Sequence, residues 1–399
     1  MSKETDVDTI ITETIRQCVE QGVLKDTGLA IDCTHSEANT IKKVPERIMK
    51  HLAKDIIRSL AKEKKLDHTI NIDIPDYKEI ADEKEAKRVM LEYLTELIES
   101  AKVLADGKTK RTSQSIAKAE KIIEDPKFIR QKGVRSLIDT DARVGHKTRD
   151  DSFFGYKTEF TMLPDERIIT AIEAHDGAYV DGTDFEKLFE QSGKCGLYHL
   201  NYYGDKAYFR LPILNHISEN HGEAFIPVSE MCYRIDETKF SYNKDSDQWF
   251  CHMGNHTVKK VYEHTKYDRK RYRFTFDKKQ CINCPVRQEC AGKAKSRTFY
   301  VGINAADYYE HSQKAKTVEF KESYRKRASI EWKNGETKRF HGMAKCKGYN
   351  LRSVNLQVKF TAIAVNLKRI AAIVLASLFA FYQKGLFSKN FSCKSFVFC

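Results

Sequence analysis

The chain is poor in helix and strand breakers: 399 residues hold 7 prolines and 19 glycines. That excludes collagen-like and proline-rich architectures, which need far more of both. No secretory leader is expected either. Met1-Ser2-Lys3-Glu4-Thr5-Asp6 is polar and partly acidic, with no apolar run behind it. There is also no uninterrupted apolar run of membrane length. The best candidate, Ile370 to Tyr382, falls short of the ~18 residues a span needs and follows Lys368 and Arg369. A buried core helix is expected there, with no membrane partner and a cytoplasmic, nucleoid-associated location. Low hydrophobicity is absent too. A hydrophobic fraction of 41%, with 19 Tyr and 22 Phe, excludes global disorder.

What is present is positive charge and length. Lys and Arg number 69 against 56 Asp and Glu, a net +13, which points to a polyanionic partner. At roughly 150 residues per domain, the length suggests two or three domains. Eleven cysteines in a cytosolic chain suggest metal binding or burial before disulfides.

Periodicity divides the chain further. Val7, Ile11, Ile15, Cys18 and Val19 predict a helix over 6–24. Gly28 to Cys33 is a short apolar strand carrying Asp32 at its end. Residues 42–130 are rich in Lys, Glu, Ala, Ile and Leu, with helical stretches Pro45 to Lys62 and Glu79 to Leu104. They form a charged helical insertion. Phe154 to Leu163 and Arg167 to Ala174, joined by Pro164-Asp165-Glu166, predict a β-hairpin. A helix over 183–191 and a strand Leu197 to Tyr202 follow, and that strand runs into Asp205. A helix over 209–220 and a short strand 224–228 complete this stretch. Residues 230–300 are aromatic, basic and cysteine-bearing, without helical period. A charged helix returns over 316–335, and residues 354–382 form an apolar helical end. The resulting units are 1–41, 42–130, 131–229, 230–305, 306–385 and a tail, 386–399.

Two carboxylates near the ends of adjacent strands would face one crevice. A third on a covering helix would complete a cage for two Mg²⁺, which flank an in-line phosphoryl displacement at ~3.5–4 Å separation. The plain alternative is that each acid caps an element or belongs to a charged surface. Tyr324, Arg327, Glu331 and Lys338 are spaced 0, 3, 7 and 14, and at ~100° per residue they share one helix face within roughly 60°. A salt-bridge face would give the same spacing, and Asn334-Gly335 is expected to threaten the helix before Lys338.

Cys281-x2-Cys284-x5-Cys290, with Cys251 upstream, supplies four thiols for a tetrahedral structural Zn²⁺. His252, His256 and His264 are alternative fourth ligands, and reduced free cysteines are the alternative to a metal. Around the cluster, Lys259 to Lys279 carries nine cations, among them Lys266, Arg269, Lys270, Arg271 and Arg273. Tyr262, Tyr267, Tyr272, Phe274 and Phe276 are interleaved with them. Cations reach phosphates, and aromatics stack on bases or pack beneath the strands.

The Tyr-x2-Arg-x3-Glu-x6-Lys pattern of Tyr324, Arg327, Glu331 and Lys338 resembles the signature of bacterial insertion-sequence transposases of the DDE type. Leu29-Ala30-Ile31-Asp32-Cys33-Thr34 with Glu37-Ala38-Asn39 resembles the family's first-Asp motif, with Cys33 where the family usually has Gly. Asp139-Thr140-Asp141-Ala142-Arg143 and Gly155-Tyr156-Lys157 are similar to its pre-hairpin segments. Gly204-Asp205-Lys206-Ala207-Tyr208 resembles its second-Asp motif, and Ala364-Val365-Asn366-Leu367-Lys368-Arg369 its closing helix. The resemblance runs from about residue 7 to about residue 375.

It implies an α/β fold of RNase H-like type, a five-stranded mixed sheet flanked by helices. The helical insertion and a zinc-bearing, β-rich insertion interrupt it. It implies that Asp32, Asp205 and Glu331 bind two Mg²⁺ (or Mn²⁺), with Asp139 and Asp141 outside the cage. The same site would cut transposon ends and transfer the strand into target DNA. Arg327 and Lys338 would hold end phosphates, Tyr324 would position terminal DNA, and Cys251, Cys281, Cys284 and Cys290 would hold zinc. Lys270, Arg271 and Arg273 would add DNA contacts. The partner is double-stranded DNA, bound by a homodimer. Relatives carry a helical end-gripping region before the first-Asp strand, so a truncated copy is expected, with a catalytically inactive DNA-binding relic as the alternative. A zinc-dependent DNA-binding regulator is the third reading.

Overall fold

The computed structural model describes residues 3–105, 109–125, 128, 134–148, 150–265 and 270–390. Helix α1 (Lys3–Glu20) buries Val7, Ile11 and Ile15 at steps of four. Strand β1 (Gly28–Glu37) continues well past Cys33, because Thr34, His35 and Ser36 still have partners in β3 (Ser152–Leu163). Asp32 therefore lies in mid-strand rather than at a strand end.

Helices α2 (Pro45–Lys62), α3 (Glu83–Leu104) and α4 (Lys110–Ile123) come next. They share a core that includes Met49, Leu52, Ile56, Met90, Leu94 and Ile116. Pro45 opens α2, where its missing N–H costs nothing. Asp82 caps α3 by accepting from the Lys84 N–H at 2.9 Å.

The main sheet forms around β3. Its one edge pairs antiparallel with β1 and its other with β4 (Ile168–Asp176). β2 (Arg143–His146) pairs with the start of β3. Gly155 faces both Arg143 and Glu37, so β2 lies on the β4 side. A Cβ on Gly155 would sit 2.1 Å from the Ser36 carbonyl oxygen, which explains the missing side chain at this crossing. β5 (Asn201–Tyr203) runs parallel to β1, and β6 (Glu223–Phe225) parallel to β5. The order is β4–β3–β1–β5–β6, with β2 as a sixth strand. Five strands are expected from the sequence; β2 is four residues long, with one apolar side chain and no alternation to reveal it.

Alternation along β1 serves two cores. Ala30 joins one with Ile15, Phe160 and Val358. Leu29 and Ile31 join the other, with Leu188 of α5 (Phe185–Gly193) and Ile213 of α6 (Leu211–Glu219).

Residues 240–302 form two small sheets. β7 (Phe240–Asn243) pairs with β8 (Gln248–Cys251), and β9 (Thr257–His264), β10 (Lys270–Phe276) and β11 (Thr298–Gly302) make an antiparallel three. Two short helices, α7 (Lys278–Ile282) and α8 (Arg287–Ala291), carry Cys281 and Cys290, with Cys284 between them. Five residues are too few to display a helical period, so the sequence hides them.

After α9 (Ala305–Ala315), the charged helix expected over 316–335 is two helices. α10 (Val318–Tyr324) and α11 (Ala328–Phe340) are joined by a 3₁₀ turn, Arg325–Arg327. α11 passes through Asn334-Gly335 unbroken. The Asn334 amide is engaged by Asp32 and so does not compete for the helix backbone.

α12 (Asn350–Asn390) packs its first half on the sheet through Val354, Val358, Ala362 and Val365. Asp139 accepts from Asn350 N–H at 3.0 Å and Asp141 from Leu351 N–H at 3.0 Å, so these two acids cap the helix. Asn355 accepts from Ala174 N–H, while Asn366 accepts from Ile169 N–H and donates to the Ile169 carbonyl. The amides thereby satisfy backbone groups of β4. The expectation of a buried core helix at 370–382 is overturned. Leu375, Leu378, Phe379 and Tyr382 are exposed, because the helix runs on past the strand it packs against. Among the described residues, Asn350–Ala380 is long and apolar enough by length and composition to cross a membrane.

Candidate active site

Asp32, Asp205 and Glu331 come from three different elements and meet at one guanidinium. Asp32 sits in the middle of β1, its side chain 10% exposed. Asp205 follows β5 and caps a 3₁₀ turn, accepting from Ala207 N–H at 2.8 Å. Glu331 lies in the first turn of α11. Arg327 reaches all three, at 3.5 Å to Asp32, 3.9 Å to Asp205 and 2.9 Å to Glu331. Its Nε is buried with no hydrogen-bond partner among the described residues.

The charges do not balance. Burial pushes the Asp32 carboxyl up to about 7; Arg327 opposes that, while Asp205 and Glu331 add to it. Asn334 donates to the other Asp32 oxygen at 2.8 Å. An acid raised above its unfolded value of 3.8 holds a proton that the unfolded chain has already lost. The folded state therefore loses stability as pH rises from about 4 to about 7, by up to roughly 4 kcal/mol. We predict that Asp32→Asn flattens this slope. Thermal unfolding of both proteins across that range measures it, and parallel curves would contradict it.

Tyr324 stacks on Phe320 at 6.1 Å, and its hydroxyl, raised chiefly by burial, also feels Arg327 and all three acids. Lys338 stands beside the site, its Nζ 3.4 Å from His35 Nδ1. Burial, Lys338 and Lys147 hold His35 down to about 4, so the ring is a neutral acceptor for the Lys338 ammonium at neutral pH.

Two contributors are invisible in the sequence reading. Asn334 shares the Arg327/Glu331 face at helical spacing, a signal that could have singled it out. Glu159 gives no such signal. It is fully buried on β3 opposite Cys33, and accepts from Tyr208 Oη at 2.8 Å, Tyr179 Oη at 2.7 Å and Gly182 N–H at 2.6 Å. Tyr208 lies three residues beyond Asp205, so Glu159 anchors that loop to the sheet.

The thiols of Cys251, Cys281, Cys284 and Cys290 line a single cavity of about 590 Å³. Asn255 Nδ2 lies 3.0 Å from Cys281 Sγ. Burial raises the Cys290 thiol, and the other three thiols add to the shift while Arg297 opposes it. Among the described residues, no three His, Cys, Asp or Glu side chains are grouped closely enough to hold a metal as they stand. That holds for the carboxylates and for the cysteines.

On the ribbon, Arg271 and Arg273 both pair with Glu263 of β9, at 2.9 and 2.6 Å. Phe274 and Phe276 are buried, whereas Tyr262 is exposed. Lys270 is exposed at the strand's start. Lys266, Tyr267 and Arg269 lie outside the described residues.

Residues 250–371 match the family model described as transposase DDE domain. That stretch is less than half of the chain, and it is similar to a DDE transposase domain. The matched stretch contains Glu331, Arg327 and the four cysteines; Asp32 and Asp205 precede it. No curated protein and no solved structure matches the chain.

Proposed function

We propose that this protein is a transposase that cuts insertion-sequence DNA ends and transfers them to target DNA at Asp32, Asp205 and Glu331. One observation carries the reading: a single guanidinium lies within 4 Å of all three carboxylates. Three acids drawn together from distant points of the sequence repel one another and need a cation among them, a place that a divalent ion can take from Arg327. The sheet order β4–β3–β1–β5–β6, three antiparallel strands then two parallel ones, supports an RNase H-like core.

The donor set is chemically suited to hard divalent ions, since all three groups are carboxylates. Bound Mg²⁺ or Mn²⁺ would supply charge neutralisation and an activated water. The chain's residues do the remainder. Asp32, Asp205 and Glu331 hold the ions. Arg327, released from the carboxylates, turns its fork and its unpartnered Nε to a phosphate oxygen. Lys338 adds a point charge beside the cleaved strand, and Tyr324 lays its ring against the terminal nucleotide. Duplex DNA is the partner, and a homodimer holds two ends. Phe360, Leu367 and Leu378, with Ala364 and Ala371, form an exposed stripe at heptad spacing along α12 that supports a second copy packing there. A transposase is expected in the cytoplasm.

Incubating the chain with DNA that carries its gene and both flanks tests the reading. Nicks at fixed flanking positions, dependent on Mg²⁺ or Mn²⁺, are expected. DNA bound but left intact under both metals would reduce the chain to a DNA-binding relic.

The four cysteines are proposed to hold a structural zinc, supported by four soft donors around one cavity. The purified chain should then contain about one zinc per molecule, lost in Cys281→Ser/Cys284→Ser. Metal analysis that finds none, with no stabilisation by added zinc, would remove that assignment.

A further inference from the structure

A patch of positive charge with few acids opposing it lies in the helical insertion that follows β1. Arg47, Lys50, His51 and Lys54 occupy one face of α2 at steps of three and four, opposite the buried Ile48, Met49, Leu52 and Ile56. Tyr77 and Lys78 close the other wall of a cleft of about 240 Å³. Lys43 adds a further cation, its Nζ 3.3 Å from His51 Nε2.

Little opposes this charge. Asp76 pairs with Lys50 at 3.5 Å, and Asp55 lies near His51. Arg47, Lys54 and Lys78 have no ion-pair partner among the described residues. Like charges at i,i+4 on a helix destabilise it, and an ordinary solvated helix face spaces acids between them. The crowding is felt locally: burial first, then Lys43, Arg47 and Lys54, push the His51 imidazole below its usual value. Lys50 also lies over the Tyr77 ring at 5.7 Å, so the wall is part aromatic and part cationic.

We propose that this cleft, whose lining includes none of the three acids, is a second DNA-binding surface, which grips the phosphate backbone of duplex DNA. Arg47 to Lys54 spans two helical turns, ~10 Å, and one strand rises 3.4 Å per phosphate, so about three consecutive phosphates face the row. Arg47 forks to one phosphate, Lys54 and Lys78 act as point charges at the two beside it, and Lys50 adds to them. Contacts to backbone phosphates carry no sequence information, so the contact is independent of sequence. The inference rests on the DNA-acting reading given above, yet its test needs no cleavage.

The test is the salt dependence of duplex binding, followed by fluorescence anisotropy without divalent metal, for wild type and Arg47→Ala/Lys54→Ala/Lys78→Ala. All three residues are exposed, so circular dichroism should show the fold retained. Each lost phosphate contact removes about 0.9 from the slope of log affinity against log salt, so the variant's slope should be shallower by roughly 2.7. The loss should be the same for any duplex sequence. Arg47→Glu/Lys54→Glu should weaken binding further. An unchanged slope in both variants, with wild type binding normally, overturns the cleft and leaves the transposase reading intact. A shallower slope with no metal-dependent nicking by wild type supports the cleft while the cleavage reading fails. A wild type that binds no duplex overturns both.

Discussion

Replacing Asp205 with alanine should abolish DNA nicking while leaving DNA affinity within a factor of two or three. The expected fall is about 10³-fold or more, the scale of removing a preorganised charge-stabilising group. Asp205 is the acid to change in place of Asp32 because it is far less buried. Its side chain is 42% exposed, and its contact with Arg327 is the longest of the three, at 3.9 Å. What the fold loses is one cap to Ala207 N–H, a cost of about 1 kcal/mol. Asp32→Ala would confuse chemistry with stability, since Asp32 is buried and held by both Arg327 and Asn334. Undiminished nicking by Asp205→Ala would place the chemistry elsewhere.

Arg327→Ala should have the largest effect on stability. It leaves three carboxylates without their shared counter-ion, one of them buried. Removing one partner of a buried ion pair costs roughly 3–5 kcal/mol. Part of that cost is avoidable, because Asp32 takes up a proton near neutrality. The variant should therefore be close to wild type near about pH 5 and much weaker near about pH 8. Added Mn²⁺ should restore stability at the higher pH, where the unpaired carboxylates need a cation. Arg327→Lys should fall between, keeping the charge and losing the fork. Thermal unfolding at two pH values, with and without Mn²⁺, reads all of this. An Arg327→Ala protein whose unfolding ignores both pH and metal would show that the guanidinium and the acids are not coupled.

Local structure was legible where a segment carries its own signal. Pro45 and the apolar spacing behind it mark the first turn of α2, and the β3–β4 hairpin shows in two alternating runs around Pro164. The acids Asp32, Asp205 and Glu331 were legible through motifs. Their meeting point, Arg327, was legible as a helix-face neighbour of Glu331, but its reach to Asp32 was not. That contact joins residues nearly three hundred positions apart and depends on how α11 lies on β1. Glu159 was hidden for the same reason: its partners, Tyr179, Gly182 and Tyr208, are brought in by tertiary packing. The end of α12 misled for a different reason. An apolar helix has the same composition whether a sheet covers it or it runs past the sheet's edge. The basic face of α2 was legible as charge, but acids from the following loop could have neutralised it. Only the fold shows that Asp76 reaches Lys50 and leaves Arg47 and Lys54 bare.

The central claim is that these three carboxylates form one divalent-metal centre, with Arg327 holding their place. A crystal of the chain soaked in Mn²⁺, with anomalous scattering recorded at the metal's absorption edge, tests it most directly. The account predicts anomalous peaks between Asp32, Asp205 and Glu331, with the Arg327 guanidinium moved off them. A guanidinium still seated among the three acids, with no anomalous peak there at saturating Mn²⁺, would contradict it.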